Sequence, residues 1–355
     1  MSLRDHLRAV DPGRKDTRNL SFDEARDAFR AMLSGSESEV TIATFLVSLR
    51  YKGVTVEELR GFASAARARA TMPCQGMPGV VCVSPPHDGS TTTPPLDTVA
   101  SLIAAGAGAR VLLISDRCVP PKRGLTAASV LEHLGAGMTW DPAEAESWVA
   151  KCRFAACSVT GMLPGLMGLR KIRDEVYIRT PLSTVEKLIA PSTAAVVVGA
   201  QGGPVLGMAV EVMQGLGHPH AIAVQGVEGS PIPYVSRRTR GVELDKSHLV
   251  TVNVEPDDFG LACSSDAELP LFSFPPEGQG PGDSLPLVKA AGDISALVLA
   301  GEPGPARNAA LLGAALILKS AGRCMTLAEG VDAATTALDS GEATGVLRKL
   351  RELAG

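Results

Sequence analysis

Apolar positions recur at helical period through the first 70 residues, and nothing there alternates as a strand does. Ser21 and Glu24 stand at capping-box spacing, and Phe22, Ala25, Ala28, Phe29 and Leu33 share one face, so a helix opens there and ends at Gly35. Val40 to Tyr51 predicts a second helix, with Ile42, Phe45, Leu46 and Leu49 on one side and Gly53 as its stop. Thr55 and Glu58 repeat the capping-box spacing and open a third helix that runs to about Ala70. Short amphipathic helices with no strand between them predict a small helical domain.

Pro73, Gly76, Pro78 and Gly79 then read as a linker, after which the pattern changes. Val80–Val83 is a short apolar run with the character of a buried strand, followed by a Pro/Thr/Gly-rich loop (Ser84–Pro95) and a helix (Leu96–Ala107). A second strand (Arg110–Ser115), a loop (Asp116–Gly124) and a helix (Thr126–Leu134) repeat the order. Ala194–Gly199 and Ala221–Gln225 predict two more buried strands around the helix Val205–Leu216, and Thr251–Val254 and Leu297–Leu299 are further strand candidates. Alternation of this kind predicts right-handed βαβ units and a central, mostly parallel sheet. Residues 255–292, rich in Pro, Gly, Asp and Ser, predict a long irregular excursion near the surface. Ala306–Ala321 is apolar all round and predicts a buried helix; Thr326–Ser340 predicts an amphipathic one with a Thr326–Glu329 cap.

Composition narrows the class. A chain of 355 residues suits two domains, and 45% hydrophobic with 20% charged residues is ordinary for a globular protein. The net charge of −4 gives no global basic field to advertise nucleic acid or an anionic membrane. Cys74, Cys82, Cys118, Cys152, Cys157, Cys263 and Cys324 are odd in number, scattered and without metal-ligand spacing, which reads as reduced thiols in a cytoplasmic protein. Residues 1–20 are polar, without the apolar core of a secretion signal, and no apolar stretch reaches the roughly 20 residues a membrane span needs. A Gly-x-Ser-x-Gly elbow, a Walker A loop and a dinucleotide fingerprint are absent, and Gly199-Ala-Gln-Gly-Gly203 reads as a turn before a helix. No residue earns a catalytic assignment.

Leu20-Ser-Phe-Asp-Glu-Ala-Arg26, Met32-Leu-Ser-Gly35 and Phe45-Leu-Val-Ser-Leu-Arg-Tyr-Lys-Gly53 resemble the helical domain of the anthranilate phosphoribosyltransferase family. Gly301-Glu-Pro-Gly-Pro-Ala-Arg307, Arg117-Cys-Val-Pro-Pro-Lys-Arg-Gly124, Val130-Leu-Glu-His-Leu-Gly135 and Ile178-Arg-Thr180 follow the family order over nearly the whole chain. The resemblance implies a fold of the nucleoside phosphorylase/phosphoribosyltransferase type. Residues 1–74, with returning helices near 163–190, would form the helical domain; residues 75–162 and 191–355 would form the α/β domain. It also implies a homodimer through the helical domain.

The family binds phosphoribosyl pyrophosphate and magnesium between its domains, and this sequence departs from each part of that device. Ser84-Pro-Pro-His-Asp88 stands where the family has Gly-Thr-Gly-Gly-Asp, and proline offers neither the amide nor the φ of that loop. Pro95-Leu-Asp-Thr98 replaces Asn-x-Ser-Thr, which casts Asp97 as a helix N-cap. Leu113-Ile-Ser-Asp-Arg117 keeps only the arginine of Lys-His-Gly-Asn-Arg. Pro231 and Ile232 occupy the magnesium-binding Asp-Glu positions and supply no side-chain oxygen. No metal or other cofactor is therefore expected, magnesium included.

Candidates for a phosphate or ligand site are Asp88, Gly89, Ser90 and Thr91, with Thr92 and Thr93 completing a small anion nest, together with Arg117, Lys122 and Arg173. By resemblance Arg173 matches the arginine that contacts anthranilate; a guanidinium there binds a carboxylate or phosphate, or else makes an interdomain salt bridge. Gly13-Arg-Lys15, the run Arg179–Pro191 and Gly226-Val-Glu-Gly229 resemble the YbiB-type paralogues, which share the fold, lack the pyrophosphate signature and are associated with nucleic acid. For this chain that implies a non-specific, salt-sensitive single-stranded nucleic-acid surface built from Arg14, Lys15, Arg170, Lys171, Arg237, Arg238 and Arg240, or a small phosphorylated ligand in the old cleft. A transferase with an altered donor site is the competing expectation.

Overall fold

A computed structural model describes residues 2–270 and 279–355. The chain starts with α1 (Leu3–Val10), α2 (Phe22–Leu33), α3 (Glu39–Lys52) and α4 (Val56–Arg69). The predicted caps are present: the Ser21 amide donates to Glu24 at 2.9 Å while the Glu24 amide donates back to the Ser21 hydroxyl at 3.3 Å. Thr55 and Glu58 do the same, at 2.9 and 3.2 Å. Phe29, Phe45 and Phe62, fully buried, meet at the centre of these helices, with ring centroids 5.9 and 6.3 Å apart.

The second layer system is a seven-stranded sheet in the order β3-β2-β1-β4-β5-β6-β7. β1 (Val80–Ser84), β2 (Arg110–Ile114), β3 (Phe154–Cys157), β4 (Ala195–Gly199) and β5 (Ala221–Val224) run parallel. β6 (Thr239–Asp245) and β7 (His248–Val254) close one edge as an antiparallel pair. The parallel strands carry buried apolar runs because helices cover both faces. These are α5 (Asp97–Gly106), α6 (Ala127–His133), α7 (Pro142–Cys152) and, after the elements described next, the later helices of the chain.

Between β3 and β4 the chain leaves the sheet. It forms α8 (Val159–Met162), α9 (Leu166–Val176) and α10 (Leu182–Lys187), which pack on α2, α3 and α4. The helical domain therefore comprises the N-terminal helices and this returning segment, tied by a bond from the Thr71 amide to the Met162 carbonyl at 2.9 Å. α11 (Pro204–Gly215) joins β4 to β5. α12 (Leu285–Leu299), α13 (Pro305–Ser320), α14 (Leu327–Asp339) and α15 (Glu342–Ala354) complete the α/β domain. α13 is buried on every side against α5 and α14, as its uniformly apolar sequence demands.

Two expectations need correction. Leu297–Leu299 is the last turn of α12, not a strand: an apolar triplet has no periodicity of its own to separate the two. The irregular stretch 255–292 ends earlier than predicted, because α12 already starts at Leu285 and Pro286 sits in its first turn, where a missing N–H costs nothing. Residues 271–278 of that stretch lie outside the described residues. No helix among the described residues is long and apolar enough to cross a membrane.

The strand order fixes where a site belongs. From β1 the chain proceeds outward to β2 and β3, then returns to place β4 on the other side of β1. Loops leaving the carboxyl ends of β1 and β4 diverge there and open a crevice, where α/β sheets receive ligands.

Candidate functional site

A cavity of about 410 Å³ lies at the carboxyl end of β4, between α3, α4 and α10 on one side and the end of β4 and α11 on the other. Val54, Leu59, Leu188, Val205 and Val212 give it apolar walls, and Arg50, Arg179, Lys187 and Glu228 bring charge to it. The Lys187 ammonium donates to the Gly199 carbonyl at 2.9 Å. Desolvation, reinforced by the nearby Arg179 charge, pulls that lysine down to about 8. Gly199 is required at the strand end: a Cβ there would lie 2.1 Å from the Gly229 carbonyl oxygen.

Behind the cavity lies a buried chain of alternating charges. Ser158 and Arg170 bind Asp116, the latter at 2.6 Å; Arg170 also donates to Glu186 at 3.2 Å, and Arg173 to the other oxygen of Glu186 at 2.6 Å. Arg173 Nη2 stands 3.9 Å from Asp88, and Arg179 donates to Asp88 Oδ1 at 3.0 Å with its Nε in ion-pair contact with Oδ2 at 2.9 Å. Asp88, Asp116, Arg173 and Glu186 are all essentially inaccessible to water. Burial raises the Glu186 carboxyl, but the flanking Arg173 and Arg170 charges outweigh it and hold it at about 2. The network joins the β1 and β2 loops to α9 and α10, so it also ties the two domains together.

Arg173 is therefore paired chiefly within the helical domain, with Glu186 of α10, and only its longer 3.9 Å approach to Asp88 reaches the α/β domain. Its partners are Glu186 and Asp88 rather than its neighbours Asp174 and Glu175, which point elsewhere on the same helix. His87, buried beside the network with both ring nitrogens unpartnered among the described residues, is pushed down to about 4 by desolvation.

The loop after β1 does form an anion nest, and Glu228 fills it. Glu228 Oε1 accepts from the amides of Thr92 and Thr93 at 2.8 and 3.0 Å and from their hydroxyls at 2.7 and 3.1 Å. Oε2 accepts from the Thr91 amide and hydroxyl at 2.8 and 3.0 Å, with the Lys122 ammonium at 3.4 Å. Burial raises this carboxyl; the Thr92 and Thr91 hydrogen bonds and Lys122 override it and bring it to about 2. Ahead of the nest, Asp88 is committed to Arg179, Gly89 turns with φ 77° against the Leu125 carbonyl, and Ser90 bridges to Leu125. Lys122 also donates to the Gly89 carbonyl at 2.6 Å. Asp88, Gly89, Ser90, Thr91 and Lys122 thus come together. Arg117 does not join them; it pairs with Glu132 at 2.6 Å on the surface.

Asp97 is not the N-cap of α5. Leu96 holds that position, and the Asp97 carboxyl makes no capping bond; buried with Oδ1 unpartnered among the described residues, it is pushed up to about 7.

Most of the basic residues singled out for nucleic acid have acidic partners. Arg14 pairs with Asp16, Lys171 with Glu39 and Arg238 with Glu255, and Arg170 belongs to the buried network. Arg237 lies over the Tyr234 ring at 4.0 Å, and Lys15 and Arg240 are exposed. A magnesium ion does not fit the residues present. Pro231 and Ile232 offer no carboxylate, Glu228 is saturated by the nest, and Glu243 is bound by His220 and Lys319. Among the described residues no group of three or more His, Cys, Asp or Glu is placed to hold a metal.

Sequence reasoning missed Arg50, Asp116, Glu186 and Lys187 as parts of this region. The detectable signal was Glu186-Lys187 on an otherwise uncharged helix segment between Leu182 and Ile189, where two charges must find buried partners.

Residues 88–344 match the family described as glycosyl transferase family, a/b domain, and residues 13–70 match its helical bundle domain. Anthranilate phosphoribosyltransferase of Symbiobacterium thermophilum is 30% identical over 347 residues, which cover 98% of this chain and 96% of the relative. The enzyme of the same name from Methylobacterium radiotolerans is 31% identical, with 98% and 95% covered. Anthranilate phosphoribosyltransferase from Thermus thermophilus superposes with a TM-score of 0.80 at 25% identity, over 99% of both chains. The Saccharomyces cerevisiae enzyme in complex with phosphoribosyl pyrophosphate and magnesium, at 17% identity, shares the fold with a TM-score of 0.80, over 99% of this chain and 97% of that one.

Proposed function

The chain belongs to the glycosyl transferase family just described, and from that premise we propose that it is a cytoplasmic homodimer that binds a phosphorylated small molecule in the interdomain cleft without magnesium-assisted phosphoribosyl transfer. The observation that carries this reading is the internal pairing of the site's charges. Asp88, Asp116 and Glu186 are each bound by arginine, and Arg173, the residue that would meet an acceptor carboxylate, is spent on Glu186. Separating a buried pair of this kind costs about 3–5 kcal/mol, more than one new bond to an acceptor returns.

What remains available is a cavity of ligand size with Arg50 and Lys187 at its edge. Those cations suit a phosphoryl group, and the apolar walls suit a compact organic body. Nucleic acid is the weaker match, because most of the candidate basic residues are neutralised by acidic neighbours and few remain to release counterions. For the homodimer, exposed Val40 and Tyr51 on α3 and exposed Met167 and Tyr177 in or just after the adjacent α9 supply an apolar surface on the helical domain.

The test is calorimetric titration with ribose 5-phosphate and with pyrophosphate in EDTA, beside a labelled single-stranded DNA at about 50 and 200 mM salt. Metal-independent binding of the small phosphates, weakened at least about tenfold in Lys187→Met, supports the proposal. Binding that appears only with magnesium, or DNA binding with no small-ligand binding, overturns it.

A further inference from the structure

We infer that a second cavity, further along α4 and α11 than the cleft, binds a small carboxylate with an apolar body, held by Arg67 and Ser64. The cavity, of about 190 Å³, is lined by Phe22 of α2, Ser64 and Arg67 of α4, and Gly215 and Leu216 at the end of α11. Leu59 and Val212 of the same two helices face the cleft, and Arg67 stands about 12 Å further along α4 than Leu59. The two domains therefore meet over a second hollow, with its own residues.

Charge distinguishes this hollow. The Arg67 guanidinium is half-buried, and burial pulls it below its ordinary value. Among the described residues no carboxylate stands within ion-pair distance of it; it donates to the Leu216 carbonyl at 3.1 Å. Its titratable neighbours are Cys82 and His218, and burial keeps both uncharged at neutral pH, the thiol by raising it and the imidazole by lowering it to about 4. Capping the carboxyl end of α11 meets one N–H and about half a charge. A desolvated cation short of a counter-ion is costly, and a carboxylate laid against the guanidinium fork supplies one. The two arginines that flank the Phe22 ring at 5.6 Å are already paired, Arg26 with Asp23 at 2.9 Å and Arg60 with Glu57. One unpaired cation suits a monoanion, whereas a phosphoryl dianion calls for a second. The Ser64 hydroxyl adds a donor, Phe22 and Leu216 give an apolar wall, and the volume lies below that of sites for drug-sized ligands, so the body is a few carbons. A ligand held there clips α4 to α11. Failure of the cleft reading leaves this site intact.

Isovalerate is the probe, titrated into the whole protein by saturation-transfer NMR, with inorganic phosphate as the competing class of anion. Saturable binding should weaken at least about tenfold in Arg67→Met, which removes the cation and keeps the bulk, and recover in part in Arg67→Lys. Lys187→Met alters the cleft alone and should leave isovalerate binding unchanged. In the unaltered protein, saturating isovalerate should slow amide hydrogen exchange at 64–70 and 212–217, and phosphate should not. Absence of saturable binding, equal affinity in folded Arg67→Met, or loss of binding in Lys187→Met would overturn the inference. Phosphate that protects the same two segments as well as isovalerate does would overturn the carboxylate class. Should the Arg67 variants not fold, exchange at 64–70 and 212–217 indifferent to isovalerate overturns it.

Discussion

Replacing Glu186 by glutamine removes one negative charge from a buried set in which Arg170, Arg173 and Arg179 balance Asp88, Asp116 and Glu186. Glu186 is 0% exposed, and its two oxygens accept from Arg170 at 3.2 Å and Arg173 at 2.6 Å. The variant keeps one acceptor oxygen but leaves Arg173 with no carboxylate nearer than Asp88 at 3.9 Å, and the Arg170 and Arg173 charges without the anion between them. Breaking one partner out of such a set costs about 3–5 kcal/mol. With a urea m-value of about 3 kcal/mol/M for a chain of this size, the unfolding midpoint should fall by about 1–1.5 M. Sign and pH follow from the same group. Its folded value, near 2, lies below the ordinary 4.5, so its stabilisation is complete above that value and disappears as pH falls through 2. The deficit of the variant should therefore shrink in strong acid. Pairing Glu186→Leu with Arg173→Met removes both charges, leaves Arg170 and Arg179 with Asp116 and Asp88, and should recover most of the loss. Urea unfolding at pH 7 checks both; a cost under about 1 kcal/mol for the glutamine variant would refute the reasoning.

Three further outcomes follow from the same geometry. Asp97 is raised to about 7 by burial, so its charged form penalises the fold above that pH and not below about 4; Asp97→Asn should gain about 2–4 kcal/mol in urea unfolding at pH 8 and almost nothing at pH 4. Lys187 is charged below about 8, so the affinity for a small phosphate measured by calorimetry should fall as pH rises through that value, and the dependence should vanish in Lys187→Met. Gly199→Ala drives a methyl into the Gly229 carbonyl, and should cost about 1–3 kcal/mol by thermal unfolding while loosening the Glu228 segment to proteolysis.

Much of the fold was legible because caps and buried apolar runs are local signals. Ser21–Glu24 and Thr55–Glu58 mark helix starts without any tertiary knowledge, and Val80–Val83 or Ala194–Gly199 cannot be anything but interior. Phe154-Ala-Ala-Cys157 gave no such signal. Two small residues carry neither period nor strong strand preference, and the strand exists because β2 pairs with it. The nest at Thr91–Thr93 was readable from its residue types, but its occupant was not: Glu228 lies more than 130 positions away. The same holds for Glu186, Asp116 and Arg170, whose roles exist only once the returning helices bring α9 and α10 against the β1 and β2 loops. Spacing in sequence cannot report a charge network assembled across two domains. Arg173 was visible as a choice between ligand contact and interdomain bridge, but its close partner is Glu186, on the next helix of the same domain.

On the proposed function, the family fold here retains a phosphate-binding cleft while its donor and acceptor contacts are turned inward. The most direct measurement is pyrophosphate release from phosphoribosyl pyrophosphate with magnesium and anthranilate, run beside a family member of known activity. No anthranilate-dependent release is expected, with phosphoribosyl pyrophosphate still binding to similar affinity with and without the metal. Steady release that needs both magnesium and anthranilate would contradict it, and would mean that Arg173 leaves Glu186 during turnover.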